Sequence, residues 1–204
     1  PNDRKGLALC DATSAVFAQK LDWKKLDATT FSWQKSMGGE AGHGMLVLSP
    51  KAVRRLESFI PERPLPKVFQ LTKSGRLIDG IFSGETINTP SMFCVADALD
   101  SLQWIRDLGG LDATVSRAEA NFVSIQKWVD QEEWIENLVS TNAHRSNTSV
   151  CLKIVAPEFL DFSIGQQREF LGYLITLLES EQLAFDVGGH RAAPPGLRIW
   201  CGAT

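Results

Sequence analysis

The chain has 204 residues, of which 44% are hydrophobic and 22% charged, and its formal net charge at pH 7 is -3. These values are typical of a soluble globular protein of one domain, or one and a half. The absence of a long basic run argues against nucleic-acid binding, no apolar run approaches the roughly 20 residues of a membrane span, and no signal peptide is expected.

The four cysteines, Cys10, Cys94, Cys151 and Cys201, lie far apart and form no CxxC pair. Structural zinc sites use closely spaced pairs, so we expect no metal site. Reduced and mostly buried thiols are the simplest interpretation, and they favour a cytoplasmic location. Cys94 falls in a helical pattern, where core packing accounts for it.

The first part of the chain alternates short apolar segments with polar turns, which predicts strands of an α/β sheet. The predicted strands are Leu7–Cys10, Ala28–Trp33 and Met45–Leu48. The first follows Pro1-Asn2-Asp3-Arg4 and has the apolar character of a buried parallel strand, which needs neighbours. Leu197–Cys201 also resembles a strand close to the other end, so we expect a piece of a longer protein.

Helical patterns follow the third strand. Ser49 is a good N-cap before Pro50, so a helix is expected from there to about Phe59. Residues 61–66 and 82–88 predict loops. A long helix should begin at Thr89-Pro90 and stop at Gly109-Gly110, and another should span Leu111–Gln131. The long helix has an apolar face formed by Phe93, Ala96, Leu99, Leu102 and Ile105.

The pattern changes after Asn142. A strand at Val150–Val155 precedes an amphipathic helix at Ile164–Glu181, and two strands follow at Leu183–Val187 and Leu197–Cys201. This β-α-β-β order predicts a small α+β domain. We place the boundary at residues 135/136, within the segment 132–141.

Asp11 and Lys35 carry the clearest chemical signal. Each comes after a predicted buried strand, at the edge where open α/β sheets bind ligands. A surface lysine and a turn or N-cap aspartate are the ordinary interpretations of each residue alone. Together they match what pyridoxal phosphate (PLP) requires: a lysine that binds the cofactor covalently and an aspartate that keeps the pyridine nitrogen protonated.

Several motifs, in order along the chain, resemble the phosphoserine aminotransferase family, which belongs to class V of the fold-type I PLP enzymes. They are Cys10-Asp11-Ala12-Thr13-Ser14, the run from Thr30 through Gln34-Lys35 to Met45, Thr86-Ile87-Asn88-Thr89-Pro90, Arg145 to Val150, and Gly189-His190-Arg191-Ala192 with Arg198. The resemblance implies that residues 1–135 are the C-terminal part of the large PLP-binding domain and residues 136–204 the small C-terminal domain.

The resemblance also implies a reaction and roles. The enzyme would interconvert O-phosphoserine and 2-oxoglutarate with 3-phosphohydroxypyruvate and glutamate, in serine biosynthesis in the cytoplasm. Its partner would be a second copy in a homodimer with shared active sites, or an N-terminal segment of the same protein. Lys35 and Asp11 would be catalytic and bind the cofactor. The other implied contacts are Gln34 to the cofactor phosphate, Asn88 and Thr89 to the phosphate of the partner's cofactor, His190 and Arg191 to the distal anion of the substrate, and Arg198 to its α-carboxylate.

Two alternatives stay open. One is another class V enzyme, such as an alanine–glyoxylate aminotransferase or a cysteine desulfurase, although a desulfurase should have a histidine close before the lysine, where Trp33-Gln34 stand. The other is a fragment or interaction module that keeps the fold without the cofactor. Individually, His190-Arg191 also fits an exposed loop, Arg198 a solvent-facing strand residue, and His43 a structural role.

Overall fold

The computed structural model describes residues 4–204, so Pro1, Asn2 and Asp3 lie outside the described residues. Contacts divide the chain into two compact units. Unit 1 comprises residues 4–16 and 20–107, and unit 2 comprises residues 17–19 and 108–204. The boundary at 135/136 concerns the domains of a longer protein and stays a prediction.

Unit 1 is built on a three-stranded sheet with the order β1-β2-β3. β1 (Leu9–Asp11) runs parallel to β2 (Ala28–Ser32), and β2 runs antiparallel to β3 (Gly44–Leu48). The three predicted strands and the parallel pairing of the first are therefore confirmed, with bounds that shift by one or two residues. The predicted burial of the first strand is wrong, because Leu9 is 75% exposed. Asp11 lies opposite Thr30, so the carboxyl ends of β1 and β2 meet at one edge of the sheet.

Asp27, just before β2, anchors the opposite edge of this parallel pair. Its side chain is buried and accepts hydrogen bonds from Ala8 N at 2.8 Å, Arg4 at 2.6 Å and Ser49 Oγ at 2.9 Å. The Ala8 N–H, followed by Arg4 and Ser49, lowers the pKa of Asp27 to about 2. The carboxylate therefore stays charged and ties β1 to the start of the first helix.

The other elements of unit 1 follow β3 along the chain. Ser49 Oγ accepts Ala52 N at 3.1 Å, which confirms the predicted N-cap. A short hairpin and a one-turn helix between residues 72 and 82 were not predicted. The elements are α1 (Pro50–Ser58), β4 (Thr72–Lys73), β5 (Arg76–Leu77), α2 (Asp79–Phe82) and α3 (Met92–Leu108), with 3-10 helices at Trp23–Lys25 and Lys67–Phe69.

Helix α3 differs from its prediction at its start and on its buried face. It begins at Met92, after Ser91, whose Oγ accepts Cys94 N at 3.4 Å. Its buried residues are Ala98, Ser101 and Ile105, because small side chains at the first two positions allow close approach. Phe93, Leu99 and Leu102 of the predicted apolar face are exposed, Phe93 by 79%.

Unit 2 packs its helices against an antiparallel sheet with the order β6-β7-β8. Its core includes Val129, Ile135, Leu152, Leu171 and Leu197, which come from five different elements. The predictions of α4, β7, α6 and β8 are confirmed, and β6 and α5 were missed. The elements are α4 (Leu111–Val129), β6 (Ile135–Asn137), a 3-10 helix (Asn142–His144), β7 (Ser149–Ile154), α5 (Pro157–Leu160), α6 (Ile164–Ser180) and β8 (Leu197–Trp200).

The predicted strand at Leu183–Val187 is wrong. Leu183 N donates to Leu178 O at 2.9 Å, so the segment begins by completing the last turn of α6. Gln182 and Asp186 have φ values of 56° and 51°, which a strand does not permit. Pairing starts only at Gly188, which forms an isolated bridge with Leu197.

None of the helices within residues 4–204 has both the length and the apolarity needed to cross a membrane.

Candidate active site

Asp11 is the last residue of β1 and exposes its carboxylate at the carboxyl edge of the parallel pair. Its Oδ1 accepts Thr13 Oγ1 at 2.7 Å and Thr13 N at 3.0 Å. The hydroxyl bond, and then the backbone bond, lowers the pKa of Asp11. Thr13 Oγ1 also accepts Ser32 N at 3.2 Å, so the turn holds this charge beside the end of β2.

Lys35 follows the end of β2 by three residues. Its carbonyl accepts Gly38 N at 2.7 Å, and Trp33 O accepts Gly39 N at 3.0 Å, which closes a turn on the buried Trp33. The Lys35 side chain is partly buried. Because β1 and β2 are parallel, Asp11 and Lys35 follow the same sheet edge, as the sequence predicted.

The glycine-rich loop (residues 38–43), which follows this turn, is fixed by hydrogen bonds at the start of α3. Glu40 N donates to Asp97 Oδ2 at 2.8 Å, and Ser91 N donates to His43 Nε2 at 3.1 Å. The His43 ring also meets Trp33 edge-on, with ring centroids 5.7 Å apart. His43 therefore serves the packing of this loop.

The glycines of this loop allow its main chain to lie close to α3. A Cβ at Gly39 would lie 3.0 Å from Asp97 Oδ2, and one at Gly42 would lie 3.1 Å from Cys94 Sγ. Both distances are shorter than ordinary contacts, so α3 explains these glycines without any ligand.

Ser36, directly after Lys35, is a feature that the sequence analysis missed. The residue is 1% exposed, and its hydroxyl has no hydrogen-bond partner among residues 4–204. A buried unpartnered hydroxyl costs about 1–3 kcal/mol, so each one requires an explanation, such as a bound group. Nothing in the sequence distinguishes Ser36 from an ordinary turn serine.

Gln34, Asn88 and Thr89 are exposed, and none of their side chains makes a hydrogen bond within the described part of the chain. Asn88 and Thr89 lie in the loop before α3. A helix that begins at Thr89-Pro90, as the sequence predicts, would have Thr89 as its N-cap, but Ser91 occupies that position. The structural alternative for Thr89 therefore does not hold, and both side chains remain available to a ligand.

His190 and Arg191 lie in the His-Arg loop (residues 188–196) of unit 2, with both side chains exposed. His190 O accepts Ala193 N at 2.8 Å, and His190 Nδ1 accepts Ala192 N at 3.2 Å. An imidazole whose Nδ1 accepts carries its proton on Nε2. His190 therefore presents an N–H donor away from its own loop, where an anion could accept it.

Arg198 lies in the middle of β8, opposite Cys151, and its N–H donates to Val187 O at 2.9 Å. Its side chain is 35% exposed, with Nη2 3.8 Å from Asp186 Oδ2. That distance allows charge attraction but is too long for a hydrogen bond. Most of the hydrogen-bonding capacity of this guanidinium is thus open to a carboxylate.

The predicted site residues fall into two groups. Asp11, Gln34, Lys35, Asn88 and Thr89 belong to unit 1, and His190, Arg191 and Arg198 belong to unit 2.

Arg145 and Asn147 of the fourth motif have structural contacts. The Arg145 guanidinium donates to Val139 O, Gln126 Oε1 and Ser140 O at 2.9, 2.9 and 3.2 Å. The buried Asn147 donates to Ala18 O at 2.9 Å. Of the four cysteines, which are all free, only Cys201 is buried; the others are partly buried, contrary to the expectation for most of them.

No family model matches the chain. The phosphoserine aminotransferase of Methanosarcina mazei is 51% identical over 204 residues, which are 100% of this chain and 52% of that protein. This similarity confirms the resemblance to the phosphoserine aminotransferase family. The family member from Methanosarcina barkeri is 50% identical over the same length, also 52% of that protein. The chain thus spans about half the length of these curated relatives.

Solved structures of the phosphoserine aminotransferase family have the same fold. The enzyme from Cytophaga hutchinsonii superposes with a TM-score of 0.74 at 18% identity, over 97% of this chain and 50% of that chain. The PLP-bound enzyme from Trichomonas vaginalis gives 0.73 at 17% identity, over 98% and 50%. An alanine–glyoxylate aminotransferase from Nostoc gives 0.66 at 16%, over 96% and 48%, so the fold alone does not separate the family from this rival.

The residues of unit 1 fit PLP on their own geometry. A carboxylate with a lowered pKa and an amine follow the same sheet edge. The unpartnered hydroxyl of Ser36 lies directly beside that amine in sequence. A protonated pyridine nitrogen requires such a carboxylate, and covalent attachment requires such an amine.

Proposed function

We propose that this chain contributes the cofactor lysine and the substrate-binding arginines of a phosphoserine aminotransferase. The reaction is ping-pong transamination between O-phosphoserine and 2-oxoglutarate, giving 3-phosphohydroxypyruvate and glutamate, in serine biosynthesis. One observation carries the proposal: Asp11 and Lys35 follow the carboxyl ends of a single parallel strand pair. The free cysteines accord with a cytoplasmic location.

The cofactor, when bound, supplies an electron sink for chemistry at the substrate Cα. Asp11 is anionic, because Thr13 lowers its pKa, and it holds the proton on the pyridine nitrogen. Lys35 would hold the cofactor through its amine and would move the proton at the substrate Cα. Gln34, exposed beside Lys35, contacts the cofactor phosphate.

The substrate has two anionic ends, and unit 2 offers cationic or N–H donors for both. Arg191 and the Nε2–H of His190 bind the distal phosphate or carboxylate. Arg198 has a planar guanidinium with only a long ion pair to Asp186, so it suits the α-carboxylate.

Borohydride reduction of the full-length protein with PLP tests the assignment of Lys35. The expected label lies on the peptide that contains Lys35, and Lys35→Ala should remove it and lower activity by about 100- to 10,000-fold. Lys127→Ala, which removes an exposed lysine from α4, is the matched control and should keep both label and activity. A label on another lysine would contradict the proposal.

Substrate preference separates the proposed function from the alanine–glyoxylate alternative. The full-length protein should have a much higher kcat/KM with O-phosphoserine than with alanine, because only the former has a distal anion. Arg191→Ala should reduce the ratio of the kcat/KM for O-phosphoserine to the kcat/KM for alanine. Higher kcat/KM with alanine would favour the alternative.

The proposal includes a homodimer in which Asn88 and Thr89 bind the phosphate of the partner's cofactor. Both side chains are exposed and unbonded, and neither is needed to cap α3. Mixing inactive Lys35→Ala with an inactive Asn88→Ala/Thr89→Ala double variant tests this. If the residues act across the interface, each heterodimer has one intact site, and random mixing should restore about a quarter of wild-type activity.

If Asn88 and Thr89 bind the cofactor of their own subunit, mixing should give a different result. Each site of the heterodimer would then carry one lesion, and mixing would restore nothing. Absence of recovery, with heterodimers confirmed and both parents folded, would contradict the cross-subunit role.

A further inference from the structure

The His-Arg loop is not held in place by close packing. An open cavity of about 180 Å³ lies between this loop, at Gly188–His190 and Pro194–Gly196, and helix α6. Gly172 of α6 also lines the cavity, and a Cβ there would meet no atom within 4 Å. Ile175 of α6 lies in contact range of Gly188, but along the rest of this groove the loop lacks the dense contacts that normally fix a loop.

The two ends of the loop are fixed by the sheet. Gly188 forms its bridge with Leu197, and a Cβ at Gly196 would lie only 2.2 Å from Leu152 O. The middle, which carries His190 and Arg191, needs another support. Its own bonds, from Ala192 and Ala193 to His190, are internal and do not connect it to α6.

Arg168 of α6 makes that connection. Its guanidinium donates from Nη2 to Ala193 O at 3.1 Å and from Nη1 to Arg191 O at 3.4 Å. The planar fork of an arginine is suited to two acceptors at once, and a lysine would replace only part of it. One bond thus ends on the main chain of Arg191 itself, whose side chain is proposed to bind the substrate.

We propose that Arg168 is a positioning residue that sets the His-Arg loop for recognition of the distal substrate anion. The inference rests on the proposed function of Arg191. Arg168 acts through the main chain of the loop, because its bonds go to carbonyls and its side chain is committed to them. Tight anion binding depends on such preorganisation of the donors before the ligand arrives.

Steady-state kinetics of the full-length enzyme test the role. Arg168→Ala should raise KM for O-phosphoserine about 10-fold, the equivalent of one charge-assisted hydrogen bond, with kcat nearly unchanged. KM for alanine, which has no distal anion, should not move. Arg168→Lys should restore part of the affinity, and Lys127→Ala, with the same loss of charge on α4, should match wild type.

Limited trypsin digestion gives a readout that needs neither cofactor nor activity. Without its tether the loop should be cut faster after Arg191 in Arg168→Ala, whereas the cut after Arg117, inside α4, should keep its wild-type rate. Faster cutting at both sites would indicate general destabilisation and would overturn the inference.

Two kinetic results would also overturn it: an unchanged KM for O-phosphoserine in Arg168→Ala, or equal losses with O-phosphoserine and alanine. A wild-type enzyme that does not transaminate O-phosphoserine would instead overturn the proposed function. In that case the trypsin cut would still decide whether Arg168 holds the loop.

Discussion

The glycine-rich loop after Lys35 and the His-Arg loop are held in opposite ways. The first lies against α3: Glu40 N donates to Asp97, and a Cβ at Gly39 or Gly42 would lie 3.0 or 3.1 Å from a side chain of α3. The second crosses a cavity, and its middle is tied to α6 by the exposed side chain of Arg168. Both loops are rich in glycine, but only in the first do glycines approach the neighbouring helix more closely than ordinary contacts allow.

This difference matches the roles proposed for the two loops, since the first follows the cofactor lysine and the second binds the substrate. A cofactor that stays bound through every cycle requires a lysine in one fixed place. A ping-pong transaminase must take substrates with different distal anions, a phosphate and a carboxylate, at one site. A loop that is supported by hydrogen bonds beside an open cavity can adjust to both at lower cost than a packed one.

The largest effect on stability is expected at the fixed end of the His-Arg loop. Gly196→Ala would place a methyl group 2.2 Å from Leu152 O, in the backbone of β7. Neither backbone can yield easily, so we expect a loss of about 3 kcal/mol in the free energy of unfolding. Urea denaturation measures it. A loss below about 0.5 kcal/mol would show that even this end is loosely held.

A smaller effect is expected from the hydrogen bond that fixes the glycine-rich loop. Asp97→Ala removes the acceptor of Glu40 N and should cost about 1 kcal/mol in unfolding free energy. Asp100→Ala, at an exposed position on the same helix, is the matched control and should change little. Arg168→Ala should also cost little stability, although it is expected to change KM. If Asp97→Ala and Arg168→Ala destabilise equally, the contrast between the two loops is wrong.

The sequence predicted the parts of this comparison that local rules determine. Alternating apolar segments placed β1, β2 and β3, and Ser49-Pro50 placed the start of α1. The order of Asp11 and Lys35 after two strands was enough to predict their common edge, because parallel pairing brings carboxyl ends together.

Tertiary contacts decided the rest. Leu183–Val187 has the apolar alternation of a strand, but its first N–H completes α6 and Asp186 adopts a left-handed conformation. Which face of α3 is buried depends on the elements that pack against the helix. The buried face carries the small residues Ala98 and Ser101, and Phe93 is exposed. The roles of Ser36 and Arg168 could not be predicted for the same reason. A hydroxyl without a partner and a hydrogen bond to a distant carbonyl leave no pattern in the local sequence.

The smallest expected effect has the opposite sign and tests the cavity directly. Gly172 lies inside α6 and faces the cavity, and a Cβ there would meet nothing within 4 Å. Alanine loses less backbone entropy than glycine on entering a helix, so Gly172→Ala should stabilise the protein by about 0.5–1 kcal/mol. The methyl group would occupy space that the His-Arg loop leaves empty, so KM for O-phosphoserine should stay unchanged. Urea denaturation measures the stability, steady-state kinetics measures KM, and the trypsin cut after Arg191 reports on the loop. If Gly172→Ala destabilises the protein, or speeds that cut, the loop lies against α6 in solution, and packing, not Arg168, holds it there.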